Sequence, residues 1–177
     1  MQAFSRRFRR WQWAAALATV CSALLLQGCD NERVATTEED LTTEAQVYAK
    51  WGQPENIWEG QNGERILEYN RQPQGTTNYQ ITIGPDGKVV ALRQVLNRDN
   101  FDRVKPGMMM EDVRRMLGKP ARVVPYPLKK ETVYTWRYRE GHNRSSVFEV
   151  TFDPDLSVIR TEHREDPEDM TNPDNKP

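Results

Sequence analysis

Val113-Arg114-Arg115-Met116-Leu117-Gly118-Lys119-Pro120 decides the fold, because Val47-Tyr48-Ala49-Lys50-Trp51-Gly52-Gln53-Pro54 has the same pattern 66 residues earlier. Each stretch reads as the end of a short amphipathic helix. Met109, Val113, Met116 and Leu117 fall at i, i+4, i+7 and i+8, which makes one apolar stripe. Glu111 and Asp112 suit the positive N-terminal end, and Glu111 lies one turn from Arg115. Gly118 can adopt the left-handed conformation that closes a helix, and Pro120 forbids its continuation. In the earlier copy Thr43 and Gln46 form a capping-box pattern, Val47 and Trp51 share a face, and Gly52 and Pro54 end the helix. Helices this short are marginal alone in water, so each must pack on something.

That something is a sheet. Leu67 and Tyr69 answer Tyr134 and Trp136, 67 residues later. Tyr79, Ile81 and Ile83 answer Phe148, Val150 and Phe152, 69 later, and Gly84-Pro85-Asp86-Gly87 answers Asp153-Pro154-Asp155-Leu156 at the same offset. The offset drifts only where loops belong. Residues 65–69, 78–83 and 88–95 of the first copy, and 132–138, 146–152 and 157–161 of the second, read as strands from their alternation. The expected fold class is α+β: two tandem helix-strand-strand-strand units, each an antiparallel sheet with a short helix packed on one face.

Outward from the repeat, the chain divides into six parts. Residues 1–28 read as a lipoprotein signal peptide, 29–40 as a lipidated N-terminus and flexible tether, and 41–97 as the first unit. Residues 98–103 read as a linker, 104–164 as the second unit, and 165–177 as a disordered acidic tail. Arg6, Arg7, Arg9 and Arg10 make the leader's start positive, and Trp13 to Leu26 is its apolar stretch. Leu26-Gln27-Gly28-Cys29 resembles the lipobox of bacterial lipoproteins, with Leu26 and Gly28 recognised by the signal peptidase and Cys29 lipidated. Gln27 is bulkier than is usual there. Several acyl chains on Cys29 would hold the protein firmly at a membrane.

All 26 acidic residues follow Cys29 and four of the 25 basic ones precede it, so the chain from Cys29 onward carries a net charge of −5. Such a chain has no general attraction for nucleic acid. Cys21 lies in the leader, which leaves Cys29 alone, so neither an intramolecular disulfide nor a thiolate metal cluster can form in the mature chain.

Val104-Lys105-Pro106-Gly107-Met108 leads into the helix that ends Leu117-Gly118-Lys119-Pro120, and an aromatic strand follows. This arrangement resembles the SmpA/OmlA family of small lipoproteins, also called BamE-like, well over Val104 to His163 and more loosely in the first unit. Gly52, Pro54, Gly107, Gly118 and Pro120 are the structural motif positions. The resemblance implies a non-enzymatic accessory of the outer-membrane β-barrel assembly machinery that contacts other envelope proteins. The paired layout also resembles β-lactamase inhibitor proteins, in which two such units grip a partner on a concave sheet. One departure is Met109, where the family usually has a capping threonine. Losing a cap costs about 1 kcal/mol, which the packing of Met109 is expected to offset.

No nucleophile elbow, phosphate-cradling loop or metal-ligand spacing is present, and His142 and His163 read as solvated loop or strand-end residues. The expectation is therefore no enzyme, no cofactor, no metal and no small-molecule substrate. Trp51 and Trp136 read as core; Trp58, Tyr126 and Tyr138 are the candidate partner-binding aromatics. The expected function is a lipid-anchored periplasmic scaffold or adaptor in outer-membrane protein assembly or envelope integrity. The alternative is an inhibitor or sensor that captures a soluble partner on a concave sheet. The family resemblance points to the outer membrane, whereas Asp30, with Asn31 beside it, resembles a signal for retention at the inner membrane.

Overall fold

The computed structural model describes residues 29–141 and 144–167. They fall into two units, one ending at Glu38 and one beginning at Glu39. The first contains helix α1 (Cys29–Ala35), with Asp30 and Glu32 in its first turn and Arg33 in its last. Arg33 pairs with Asp30 at 3.1 Å, and the hydroxyls of Thr36 and Thr37 donate to the Glu32 and Arg33 carbonyls. Residues 29–35 of the expected flexible tether are thus helical, because acidic residues at the N-terminal end and a basic one near the C-terminal end oppose the helix dipole.

The second unit holds both repeats. Helix α2 (Glu44–Trp51) precedes a sheet of β1 (Asn56–Glu59), β2 (Arg65–Asn70), β3 (Asn78–Ile83) and β4 (Val89–Gln94). Helices α3 (Arg98–Phe101) and α4 (Met110–Leu117) precede a second sheet of β5 (Arg122–Tyr126), β6 (Glu131–Glu140), β7 (Arg144–Phe152) and β8 (Val158–Glu165). Both sheets are antiparallel meanders in sequence order. The α+β tandem is as expected, with one more strand in each sheet. The extra strands, β1 and β5, carry weak signals. β1 has four residues, and β5 contains Pro125, which an edge strand tolerates because no ladder hydrogen bond is lost.

The repeats match in detail. Each last hairpin slips register at the same place, between Thr82 and Ile83 in one and Thr151 and Phe152 in the other. An isolated bridge joins the residue before each helix to the last turn, Thr43 to Lys88 and Met109 to Ser157. Each helix end is tied to its own sheet: Tyr69 Oη donates to the Gly52 carbonyl at 3.0 Å, and Trp136 Nε1 to the Gly118 carbonyl at 2.9 Å. The first core places Val47 and Trp51 against Leu67, Tyr69, Tyr79 and Ile81, with Trp51 5.2 Å from Tyr79. In the second, Val113 and Leu117 join Trp136, Phe148, Val150 and Phe152.

Residues 98–103, expected as a linker, belong to that second core. Phe101 is buried and stacks on Phe148 with ring centroids 4.4 Å apart. The acidic tail also begins later than residue 165. β8 runs to Glu165, and buried Asp166 accepts from Arg137 Nε at 2.6 Å and Ser145 Oγ at 3.0 Å. Residues 168–177 lie outside the described chain.

The helix caps differ as the sequence indicated. Thr43 and Gln46 form the full capping box, whereas Met109 caps nothing. Met109 is also 47% exposed, so its packing does not compensate. Backbone bonding does: Met110 N–H donates to the Leu156 carbonyl at 2.8 Å, which satisfies one of the helix's free donors.

The first sheet is covered on both faces. Alternation turns Leu67 and Tyr69 toward α2 and Glu68 and Asn70 away from it. The end of α4 seats on the second of these faces. Asn78 Nδ2 donates to the carbonyls of Leu117 at 2.9 Å and Lys119 at 3.0 Å, and Gln80 Nε2 donates to that of Arg115 at 2.7 Å. Lys119 N–H donates to Asn70 Oδ1 at 2.9 Å. Glu68, 1% exposed, accepts from Trp58 Nε1 and Asn70 Nδ2 and faces Arg114 at 3.7 Å. Gln72 completes the join where β5 has ended, its amide taking both the carbonyl (2.7 Å) and the N–H (3.3 Å) of Arg137.

Gly118 is essential to this contact. A Cβ there would lie 2.5 Å from Asn70 Oδ1 and 2.8 Å from Asn78 Nδ2, whereas one at Gly52 would meet nothing within 4 Å. Both glycines have positive φ, +75° and +79°. Neither is in the left-handed helical conformation expected of them: with ψ −163° at Gly52 and −168° at Gly118, both lie in a region almost reserved for glycine. Gly52→Ala should therefore cost only the backbone strain, about 1–3 kcal/mol, and Gly118→Ala clearly more; urea midpoints of the two variants compare them directly. Met109→Thr should restore a cap and add about 1 kcal/mol, read as a rise of a few degrees in Tm.

Candidate interaction site

The second sheet has the same two faces, but only one is covered. Val133, Thr135, Glu149 and Thr151 stand where Ile66, Glu68, Gln80 and Thr82 stand in the first sheet. There the equivalent face receives the end of α4; here it lines an open groove of about 340 Å³. Its neighbours on β5 and β8 are mostly charged. Arg160 grips Glu131 with two bonds, at 2.9 and 2.8 Å, and Arg164 pairs with Glu149 at 3.1 Å. The Arg160 hydrogen bonds hold the Glu131 carboxyl below its usual range. Arg122 and Lys129, beside β5, have no ion-pair partner among the described residues, and Lys129 sits 6.0 Å over the Tyr126 ring. Glu162 is the remaining acid of this face, on the far strand β8. The face therefore offers two pre-formed ion pairs at its centre and a cationic margin along β5.

The three candidate aromatics separate. Tyr126 is 45% exposed at the groove's β5 margin, where a partner could reach it. Trp58 is half-buried between the repeats, its indole bonded to Glu68 at 2.7 Å and covered by the Arg115 guanidinium 5.0 Å from the ring centroid. It serves the internal join. Tyr138 is 2% exposed and belongs to the core. Its place on the second strand turns it toward Phe101, 4.8 Å away, so it offers no surface to a partner. Trp51 and Trp136 are core residues, as their helix-facing positions indicated.

The structural motif positions hold their turns. Gly107 has φ +90° and donates its N–H to the Val158 carbonyl, and Pro54 and Pro120 follow the two helix closures. Cys29, Asp30 and Asn31 lie in α1, while Leu26 and Gly28 lie outside the described residues, as does His142.

His163 is not a solvated strand-end histidine. It packs 4.8 Å from Phe148 and 5.6 Å from Phe101, with Nδ1 3.0 Å from Tyr138 Oη. Burial lowers its pKa from 6.5, helped by the Arg98 charge and opposed by Asp102 and Glu140. Burial also raises the Tyr138 pKa. Both shifts favour the neutral forms, and the hydroxyl and Nδ1 share a hydrogen bond whose donor is set by the imidazole tautomer. Glu140 pairs with Arg98 above this cluster. The role of α3 explains why sequence reasoning missed it: a four-residue helix with a single aromatic gives no periodicity.

Among the described residues no group of three or more His, Cys, Asp or Glu side chains is placed to hold a metal ion. No described helix is long and apolar enough to cross a membrane.

Residues 94–162 match the outer membrane protein assembly factor BamE domain family. The matched residues span most of the second repeat, which is what is similar to that domain. The matched segment starts at the end of β4 and includes α3, in keeping with Phe101 in the BamE-like core. No curated protein matches the chain. Among solved structures, the chain is similar to a DUF4309 family protein from Bacillus subtilis, at 20% identity over 74% of this chain and 83% of that one, with a TM-score of 0.29. It is also similar to a β-lactamase inhibitor-like protein from Streptococcus mutans, at 14% identity over 73% and 88%, with a TM-score of 0.31. A third is an extracellular SCP-domain protein from Bacillus anthracis, at 14% identity over 74% and 47%, with a TM-score of 0.28.

The half-buried His163 imidazole gives a pH dependence with a definite sign. The unfolded chain binds a proton at His163 more readily than the folded one, so its contribution is complete above pH 6.5 and is lost as pH falls through and below that value. Chemical unfolding between pH 8 and pH 5 should show that loss, and His163→Gln should flatten the slope.

Proposed function

We propose that this chain is a lipid-anchored periplasmic scaffold or adaptor, an accessory in outer-membrane protein assembly or envelope integrity. The observation that carries the reading is the BamE-domain match over residues 94–162. The lipobox-like Leu26-Gln27-Gly28-Cys29 supports it, since it would tether that domain at a membrane. Among the described residues, buried Tyr138 and half-buried His163 bond to each other and Glu68 is held within the inter-repeat join. A binding role without catalysis is what remains. The groove on the second sheet is the surface that would meet a partner, and Tyr126, Arg122 and Lys129 are the side chains that would touch it.

Asp30 bears on the membrane in question. It stands next to the lipid-bearing position and pairs with Arg33 inside α1. The family match favours the outer membrane, and the acid resembles an inner-membrane retention signal.

The second reading, capture of a soluble periplasmic partner, is favoured by one feature: the open face is polar and charge-paired rather than apolar. Charged faces steer soluble partners and set their register. Affinity capture from a periplasmic extract separates the readings, since recovery of membrane complexes alone excludes a soluble target.

Cys29→Ser should release the protein from membranes into the soluble periplasmic fraction. Deletion of the gene should lower the outer-membrane barrel content and raise detergent sensitivity, with rescue by the unaltered gene and not by the Cys29→Ser form. An unchanged barrel inventory and unchanged sensitivity would overturn the assembly reading. Banding of the lipidated protein with the inner membrane on a density gradient would overturn stable residence in the barrel machinery.

A further inference from the structure

The two repeats close their first hairpin with different chemistry. Between β1 and β2 stand Gly60-Gln61-Asn62-Gly63-Glu64, ordinary turn residues, with Gly63 at φ +81°. Between β5 and β6 stand Pro127-Leu128-Lys129-Lys130. They form one turn of 3₁₀ helix over Pro127–Lys129, and Lys130 takes the left-handed conformation with its N–H on the Pro127 carbonyl at 3.1 Å. The fold asks for no leucine at this turn, since the first repeat closes without one. Yet Leu128 is fully exposed, and Tyr126 is half exposed at the end of β5. Pro125 and Pro127 fix the backbone on either side of Tyr126. The tip is therefore presented rigidly, and little freedom is left to lose on docking.

Its charge is as unusual as its shape. From Arg122 to Lys130 the chain has three bases and no acid, and every residue but Val124 is exposed. The chain from Cys29 onward is otherwise acidic, at −5. Lys129 and Lys130 are in no ion pair among the described residues. Glu131, next along the chain, has both carboxylate oxygens on Arg160. Pro125, Pro127 and Pro154 line an open groove behind the tip, so the apolar surface continues there. A second copy of the chain is a poor occupant, because a symmetric contact would crowd four lysines together. A protein partner would need a pocket for a protruding leucine. An anionic bilayer needs none: it takes leucine and tyrosine at the headgroup boundary, and lysine stems lie along the apolar layer with their ammonium groups among the phosphates.

We propose that the β5–β6 turn is a membrane-docking tip, with Leu128 and Tyr126 entering the headgroup boundary of an anionic bilayer and Lys129 and Lys130 against its phosphates. The occupant is the anionic surface as a whole and not one lipid headgroup. A contact this small orients the chain without anchoring it, so the release expected of Cys29→Ser stands. With the tip docked, the β5 margin of the open groove faces the space beside the membrane. The inference does not rest on the assembly reading, and it is tested without the lipid.

The test uses the whole chain from Cys29 to Pro177 with Cys29→Ser, so that no acyl group contributes. Co-sedimentation is measured with vesicles of phosphatidylcholine alone, and with a third of that lipid replaced by phosphatidylserine or by phosphatidylglycerol. The expected result is equal binding to the two anionic preparations, weakened by salt, and little binding to phosphatidylcholine. A lysine at an anionic surface contributes about 1 kcal/mol, or about fivefold, so Lys129→Gln with Lys130→Asn should weaken binding roughly 25-fold. Leu128→Ser should weaken it about tenfold. Urea midpoints should stay near that of the parent, since these side chains lie outside the core. Arg93→Gln, an exposed cation on β4 of the first repeat, should leave binding unchanged. A lipid with a nitroxide on its acyl chain should broaden the amides of Leu128 and Lys129 and not that of Arg93. Three results would each overturn the proposal: no binding to either anionic preparation, which would hand the tip to an acidic protein partner; binding indifferent to Leu128→Ser; or a loss with Arg93→Gln equal to that of the lysine pair.

Discussion

The fold depends on a helix end held by side-chain amides. Leu117 and Lys119 at the close of α4 present carbonyls that their own helix cannot satisfy. Asn78 takes both, Gln80 takes that of Arg115, and Asn70 receives the Lys119 N–H. These bonds are made against a sheet face that would otherwise bury Glu68 with few partners. An unsatisfied buried polar group costs on the order of 1–3 kcal/mol, so helix end and sheet face each relieve the other. The close approach is possible only because residue 118 has no side chain. Two small repeats are thereby joined through polar bonds that fix their register.

The same scaffold has been turned to two purposes. In the first repeat the face away from its helix carries neutral amides, suited to backbone carbonyls. In the second, Val147 and Glu149 replace Asn78 and Gln80, and arginines from β8 fill the space between strands. Such a face cannot receive a helix end in the same way, because a carboxylate at the Gln80 position would repel the negative end of a helix dipole. The first repeat thus has both sheet faces covered, whereas the second keeps one face open.

Much of this was legible in the sequence, and the losses have physical reasons. The repeat, the helix stripes, the capping box at Thr43 and the missing cap at Met109 are local patterns, and each appears in the structure. What was not legible is set by contacts between distant residues. Phe101 falls within the stretch read as a linker, because its partners Phe148 and Tyr138 are far along the chain. Tyr138 looked outward-facing for the same reason: without α3 over it, that end of β6 would be bare. Trp58 read as a surface anchor, and its true neighbour Arg115 comes from the other repeat. The cationic margin at Arg122 and Lys129 has no signature of its own, since it emerges only once Arg160 and Arg164 have claimed the opposing acids.

The two faces should also respond differently to their surroundings, and the difference follows from their chemistry. The inter-repeat join rests mainly on neutral amide-to-backbone bonds, with Glu68 facing Arg114 beside them, so salt has less purchase on it than on exposed ion pairs. The open face rests on exposed ion pairs, each worth about 0–1 kcal/mol at most. A partner can break Arg160 from Glu131 at small cost and use either group for itself, while the platform beneath stays rigid. Charges set out on a face in this way govern encounter rate and register more than they add lasting affinity. The two faces therefore differ in how far they depend on charge, the join mostly on neutral amides and the open face on ion pairs.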